Sequence, residues 1–331
     1  MTYIVAEIGI NHNGSLEIAR KLIEEAAKTG CDAVKFQNYK TEDFVHDKSL
    51  TYTYKSQGKS VTEEQYKMFK RYEIDFNFLC KSKIICDKNN IELISTPTSK
   101  KGVDELVKIG CKKIKNGSDF LSNLSLIKYM KDSGLEVILS TGMAYKEQVD
   151  DAIKCFSDKS NLTLLHCTSS YPTNDKNVNL NRMINLRDTY KVKVGFSDHT
   201  IGSLAAVAST ILGAKFIEKH YTLDHNLPGP DHHFSITPKE LRDYVRDIKK
   251  AKEIMGSKVI EPSKSEKETL INAQLSIFYL KDLNNEILKN EDIFFSRPGD
   301  GISPNKLKNY IGKKLTKKVL KGDKLNENDF K

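Results

Sequence analysis

Eight short apolar runs, separated by amphipathic stretches, recur between residue 4 and about residue 255. They read IVAEIGI (4–10), AVKFQ (33–37), LISTP (93–97), KIKNG (113–117), VILST (137–141), LTLLHCT (162–168), KVGFSD (193–198) and FIEKHY (216–221). Near-continuous apolar character suits strands covered on both faces, as in a parallel sheet. The intervening segments, such as LEIARKLIEEAAKTG, VDELVKIG and SLAAVASTILGA, repeat apolar residues at helical spacing, and several close on the Gly of a left-handed cap. This alternation predicts an α/β fold, and eight repeats predict closure into a (β/α)8 TIM barrel. A doubly wound open sheet is the rival, but no GxGxxG follows the first run.

The barrel is expected over 1–258 and a polar, charged linker over 259–272. The remainder, 273–331, changes character. There LNNEILKNEDI (283–293) and LKGDKLNENDF (320–330) share the pattern L-x-x-[DE]-x-L-x-x-x-D-[IF], a weak repeat that predicts a small pseudo-symmetric domain. So short a segment buries little core alone, and docking on the barrel or on a second subunit is expected.

The net charge of +9 raises nucleic acid as a partner, but the lysines alternate with acids on helical faces and no recognition motif accompanies them. An anionic small substrate accounts for the charge better. Six cysteines without a CxxC pair read as reduced core thiols. With no long apolar span and no leader before IVAEIGI, a cytoplasmic protein that does not enter a membrane is expected.

Side chains alternate along a strand, so i and i+2 share a face, and barrel sites lie at the C-terminal strand ends. This reading turns Glu7, Lys35, Gln37, Lys115, Ser197, His199, Glu218 and His220 inward, where a purely structural barrel carries Val, Ile or Leu. Unpaired buried charge costs several kcal/mol, roughly, so packing does not account for the set. Two inward lysines suit a phosphate or carboxylate, and the strand-end hydroxyls Thr96, Ser140, Ser169 and Ser197 complete an anion cradle. His199 and His220 end neighbouring strands and are expected to share one divalent ion, with Glu218 supporting from behind. Asp231, on the LPGPD turn, is positioned to hold sugar hydroxyls, whereas His225, His232 and His233 are expected at the mouth or surface. Thr200 is expected to cap the following helix.

AEIGINHNG, AVKFQ, STP, LSTGM, HCTSSYPT, GFSDHT, FIEKH, GPDH and RPGDGIS follow one another along the whole chain. This series resembles the bacterial sialic acid (N-acetylneuraminate) synthases and their relatives that make legionaminic and pseudaminic acids. The resemblance implies a C–C bond-forming transferase of carbohydrate biosynthesis. Phosphoenolpyruvate would condense with the aldehyde of an N-acylated hexosamine, N-acetylmannosamine or a 2,4-diacetamido relative, giving a nine-carbon 2-keto-3-deoxy acid and phosphate. It further implies a divalent ion on His199 and His220, manganese first and magnesium or cobalt as alternatives. Glu7 would serve in proton transfer or hydroxyl binding near the sugar. Lys35, Thr96, Lys115, Ser140, Ser169 and Ser197 would bind phosphoenolpyruvate, and Gln37, Tyr171 and Asp231 the sugar. The tail resembles the antifreeze-like (SAF, β-clip) domain, which implies a domain-swapped homodimer with Arg297 from the partner subunit contacting the sugar.

One position departs from the family pattern. KNGSDF puts Phe120 where a Glu is usual, and the adjacent Asp119 points the other way in a regular strand. If that Glu contacts the sugar, acceptor specificity differs here from plain N-acetylmannosamine. Condensations with phosphorylated acceptors giving seven- or eight-carbon acids need a second basic pocket, and a metal hydrolase needs three or more ligands. An inactive sugar-binding barrel would ordinarily have lost the lysines and histidines that this chain keeps.

Overall fold

A computed structural model describes residues 2–330 of the chain. It divides into two compact units, one running to Gly256 and the other from Ser257.

The first unit is built on strands β1 (Tyr3–Gly9) and β2 (Ala33–Asn38), a hairpin of β3 (Thr51–Ser56) and β4 (Lys59–Glu64), and then β5 (Glu92–Pro97), β6 (Lys113–Asn116), β7 (Glu136–Ser140), β8 (Leu162–Cys167), β9 (Lys193–Asp198) and β10 (Phe216–His220). All except the hairpin pair in parallel into a closed barrel of order β1-β10-β9-β8-β7-β6-β5-β2. Outward-facing Ile4, Ala6, Val34, Leu93, Ile114 and Leu139 pack under the helices as the main core. Inside, Val5, Ala33, Ile94, Ile138, Leu165 and Phe216 form an apolar plug.

The plug decides where the site lies. Two residues beyond each plug residue, the same inward parity delivers Glu7, Lys35, Thr96, Ser140, Cys167 and Glu218. Gly195 keeps the plug tight, because a Cβ there would stand 2.2 Å from the Phe216 carbonyl oxygen. The polar groups of the C-terminal layer therefore sit above an apolar floor.

Sequence reading missed the β3–β4 hairpin. Its turn is Gln57-Gly58, both with positive φ (51° and 75°), a less common relative of the Asn-Gly signal, and the strands TYTYKS and KSVTEE do alternate. Thr200 does not cap a helix. The helix Leu204–Ile211 begins after Ser203, and the Thr200 hydroxyl donates to Asp198 Oδ1 at 2.7 Å. Among the described residues no helix is long and apolar enough to cross a membrane.

The second unit opens with short helices Lys264–Lys267 and Leu270–Ala273, in the stretch read as linker. It continues with two small antiparallel sheets: β11 (Ser276–Tyr279) pairs with β13 (Ile293–Ser296), and β12 (Leu283–Asn284) with β14 (Lys318–Val319). The two copies of the repeat adopt the same local form. Each carries a one-turn 3-10 helix, Asn290–Asp292 or Glu327–Asp329. Its buried Asp accepts from the backbone N–H three residues back, at 2.9 Å from Lys289 and 2.7 Å from Asn326. The repeat thus encodes a turn whose carboxylate satisfies its own backbone. Ile277, Tyr279, Leu283, Leu288, Leu315 and Leu325 fill the unit's core.

Candidate active site

A cavity of about 490 Å³ opens at the C-terminal strand ends, and every barrel residue expected at the site lines it. These are Glu7, Lys35, Gln37, Thr96, Lys115 and Ser140, followed by Ser169, Tyr171, Ser197, His199, Glu218, His220 and Asp231. Arg297 belongs to the second unit, exposed on the turn after β13.

Strand register sets the floor of the cavity. Glu7 lies level with Lys35 on β2 and with His220 on β10, and Glu218 lies level with Ser197 on β9. Lys35 Nζ stands 2.8 Å from Glu7 Oε2 and 3.7 Å from Glu218 Oε2, and Lys115 Nζ stands 3.0 Å from Glu218 Oε1. Burial opposes the charge on Glu218, but Lys115 and Lys35 together hold its carboxyl below the usual range. Burial would also lower Lys115, and the Glu218 carboxylate more than offsets it. Glu7 goes the other way: burial pushes its carboxyl up, Lys35 pulls back, and the neighbouring Glu218 charge adds to the rise. Two ammonium groups and two carboxyl groups thus share one dry cup. Around it Thr96 Oγ1 accepts from Lys35 at 3.2 Å, and the buried Ser140 hydroxyl has no partner among the described residues.

The two histidines lie above the cup with ring centroids 5.5 Å apart, a span two imidazoles cover when each nitrogen sits about 2.1 Å from a shared ion. His199 Nδ1–H donates to the Thr168 carbonyl at 2.8 Å, which leaves a lone pair on Nε2. Ser197 Oγ is 3.3 Å from that nitrogen but donates its proton to Glu218 Oε1 at 2.7 Å, so the lone pair is unclaimed. His220 Nδ1 is buried without a hydrogen-bond partner, and burial with the nearby His199 keeps its imidazole neutral. Burial would lower the His199 imidazole, but Cys167 and the Thr168 carbonyl raise it, so a divalent ion shared by the two rings would compete with a proton for the His199 lone pair. Among the described residues no group of three or more His, Cys, Asp or Glu is arranged for a metal, so an ion here would take its remaining ligands from substrate and water.

Further polar groups converge from the rim. Gln37 Nε2 donates to Glu7 Oε1 at 3.2 Å, and Asp231 Oδ2 lies 3.6 Å from His220 Nδ1. Burial, then the Glu7 charge, push the Asp231 carboxyl up to about 7. Tyr171 lays its ring 4.2 Å from that of His199. Gly9, with φ of 53°, ends β1 beneath these groups; a Cβ there would sit 3.3 Å from Glu7 Oε1.

Three placements correct the sequence reading. Asp119 does not point away: residues Ser118–Phe120 form a 3-10 turn, not strand, and both Asp119 and Phe120 line the cavity. Cys167, read as a core thiol, also lines it, with Sγ 3.9 Å from His199 Nδ1; its place two residues beyond Leu165 was the available signal. His232 is buried, not at the surface. Asn13 Nδ2 donates to the Pro228 carbonyl at 2.9 Å, which turns Asn13 Oδ1 toward His232 Nε2–H at 3.2 Å. His232 Nδ1 meets the Thr222 hydroxyl at 2.7 Å. This neutral imidazole ties the NHNG loop to the loop that carries Asp231. His225 and His233 are partly exposed, His225 beside Glu240 and His233 against the Pro230 carbonyl.

The His232 tie predicts acid lability. Burial lowers its pKa from 6.5 to about 4. The unfolded chain therefore binds the proton first, and the stability His232 contributes is complete above pH 6.5 and lost as pH falls through 4. Between pH 7 and pH 5 the stability advantage of the wild type over His232→Gln should shrink by about 2 kcal/mol. Urea titrations at the two pH values measure it, and an unchanged difference contradicts the neutral tie.

The NeuB family profile matches residues 22–260. The chain is 36% identical to N,N'-diacetyllegionaminic acid synthase from Campylobacter jejuni, across 98% of this chain and 99% of the relative. Pseudaminic acid synthase from the same species is 29% identical, across 99% and 96%. Among solved structures, the N-acetylneuraminic acid (sialic acid) synthetase of Leptospira borgpetersenii, in complex with citrate, shares 34% identity at a TM-score of 0.72, across 81% of this chain and 89% of that one.

Proposed function

Because the chain belongs to the NeuB family and is an enzyme of the sialic-acid-type synthase class, we propose that it condenses phosphoenolpyruvate with an N-acylated hexosamine aldehyde. The products are a nine-carbon 2-keto-3-deoxy acid and phosphate. The observation that carries this reading is the pairing, in one cavity, of the Lys35–Lys115 cup with the two imidazoles above it.

Lys35 and Lys115, with the Thr96, Ser140, Ser169 and Ser197 hydroxyls, take the phosphate and carboxylate of phosphoenolpyruvate. Glu218 is held ionised between the two lysines, while the raised Glu7 carboxyl leaves one ammonium uncompensated for the incoming polyanion. His199 and His220 would hold a divalent ion, manganese first with magnesium or cobalt as alternatives, which would supply positive charge and Lewis acidity toward the acceptor's aldehyde. C3 of phosphoenolpyruvate attacks that aldehyde carbon, and the new alkoxide takes a proton. Glu7, whose carboxyl is already raised, lies between the cup and Gln37 and is suited to hand over that proton. Water adds at C2, and the tetrahedral intermediate expels phosphate by C–O cleavage. Gln37, Tyr171 and Asp231 hold the sugar. Within the barrel unit the lysines lining the cavity are Lys35 and Lys115 alone, which leaves no second basic pocket for a phosphorylated acceptor. The acceptor class, N-acetylmannosamine or a 2,4-diacetamido relative, follows the acids that the relatives make. Six free thiols suit the reducing cytoplasm.

The second unit is read as the SAF domain of a swapped homodimer, with Arg297 of the partner subunit reaching the sugar. Arg297→Ala should then raise the KM for the acceptor about tenfold or more and that for phosphoenolpyruvate far less, in steady-state kinetics. An equal loss on both substrates contradicts this role. The reaction itself is tested with phosphoenolpyruvate labelled with oxygen-18 at the bridging C–O. The label is expected in phosphate, alongside an equimolar keto acid; label retained in the acid overturns the proposal.

A further inference from the structure

Of the lysines and carboxylic acids buried in the barrel unit, only Asp198 and Lys219 do not line the cavity, among the described residues. They sit on the outer face of the barrel, level with each other on β9 and β10. Lys219 Nζ stands 3.0 Å from Asp198 Oδ2 and also donates to the Thr200 carbonyl. Asp198 Oδ2 further accepts from the Tyr244 hydroxyl at 2.8 Å, on the helix Pro238–Met255. Asp198 Oδ1 accepts from the Thr200 N–H at 2.9 Å and from the Thr200 hydroxyl at 2.7 Å. The same helix holds this loop a second time, through Asp247 Oδ2, which accepts from the Ser203 hydroxyl at 2.7 Å.

Each member of the pair directly precedes one of the two cavity histidines, Asp198 before His199 and Lys219 before His220. Neighbours along a strand point to opposite faces, so the pair grips from outside the two strand ends that carry the imidazoles inside. Packing does not call for it. Elsewhere the outer face buries Ile4, Ala6, Val34, Leu93, Ile114 and Leu139, and apolar residues in place of a buried ion pair are often neutral for stability or better. What the pair adds over an apolar contact is direction. Its hydrogen bonds fix where the chain turns after His199, and with it the 5.5 Å between the imidazole centroids.

We propose that Asp198 and Lys219 are positioning residues, an ion pair outside the barrel wall that sets the spacing at which His199 and His220 present their nitrogens to one divalent ion. The inference rests on the reading that the two imidazoles share an ion, and assigns the residues that hold them at that spacing.

The test is calorimetric titration of the whole chain with manganese and, separately, with phosphoenolpyruvate in excess chelator. The variant Asp198→Asn/Lys219→Met removes both charges and keeps an acceptor for Thr200. It is expected to fold and to bind manganese about tenfold more weakly or worse, the usual loss when groups that orient a metal ligand are removed. Phosphoenolpyruvate affinity should stay within about twofold of wild type, since Lys35 and Lys115 stand on β2 and β6. Unchanged manganese affinity overturns the inference, and so does an equal loss for both ligands, the mark of a general loosening of the fold. Tyr244→Phe, which removes one hydroxyl and no charge, reads the same contrast should the double variant not fold. A smaller loss of manganese affinity with phosphoenolpyruvate binding unchanged is then expected, and no loss overturns the inference. A wild type that binds phosphoenolpyruvate but no manganese overturns the shared-ion reading, and the inference with it; one that binds neither overturns the condensation reading as well.

Discussion

His220→Ala should lose at least about a thousandfold in turnover, roughly 4 kcal/mol of transition-state stabilisation, and with it measurable manganese binding. The expectation rests on a buried, neutral nitrogen. His220 Nδ1 has no hydrogen-bond partner, and a polar atom left so in a dry site costs stability that only a ligand recovers. His199 presents an unclaimed lone pair from a ring 5.5 Å away, so removing His220 leaves one imidazole, too few to hold a labile ion. His233→Ala supplies the control: that ring binds the Pro230 carbonyl and is not among the residues lining the cavity, so turnover and manganese affinity should stay near wild type. Titration calorimetry with manganese separates ion loss from loss of fold. If His233→Ala proves the damaging change and His220→Ala the silent one, the imidazoles have been assigned in reverse.

Lys115→Met should be nearly as severe for a different reason. Glu218 loses its 3.0 Å partner and keeps Lys35 only at 3.7 Å. Breaking one side of a buried pair costs about 3–5 kcal/mol, because the surviving charge stays dry. We expect a stability loss of about 3 kcal/mol and a fall of at least about a thousandfold in kcat/KM for phosphoenolpyruvate. The double variant Lys115→Met/Glu218→Leu separates the two effects. Removing both charges should restore most of the stability, since apolar replacement of a buried pair is often neutral, yet activity should stay lost. Recovery of activity in the double variant would mean that Lys115 serves only to neutralise Glu218.

The barrel and its inner face were legible because a parallel strand declares itself twice. Its apolar run marks a position buried on both faces, and period-two parity then fixes which side chains turn inward. Glu7, Lys35 and Glu218 are conspicuous in such runs, since each sits two residues beyond an apolar plug residue in a place packing alone would fill with Val or Leu. Parity fails as soon as the strand ends. Asp119 lies beyond β6 in a 3-10 turn, where side chains project at about 120° intervals, and the strand rule misdirected it. His232 was misread because its burial depends on Asn13, brought to it by a separate loop, and on Thr222, ten residues back in its own. The contact of Phe44 with Phe120 was invisible for the same reason, since the two lie 76 residues apart on separate connections of the barrel. In the second unit the repeat was readable because each copy satisfies its own turn with its own Asp.

The central claim is that one barrel mouth joins an enol phosphate to an aldehyde, with the ion and both substrates required together. Its most direct measurement is phosphate release from phosphoenolpyruvate by the purified full-length protein, with and without an N-acylated hexosamine, and with manganese or excess chelator. Release only when the sugar and the metal are both present is the predicted result. Release at the same rate without the sugar and in the presence of chelator would contradict the account.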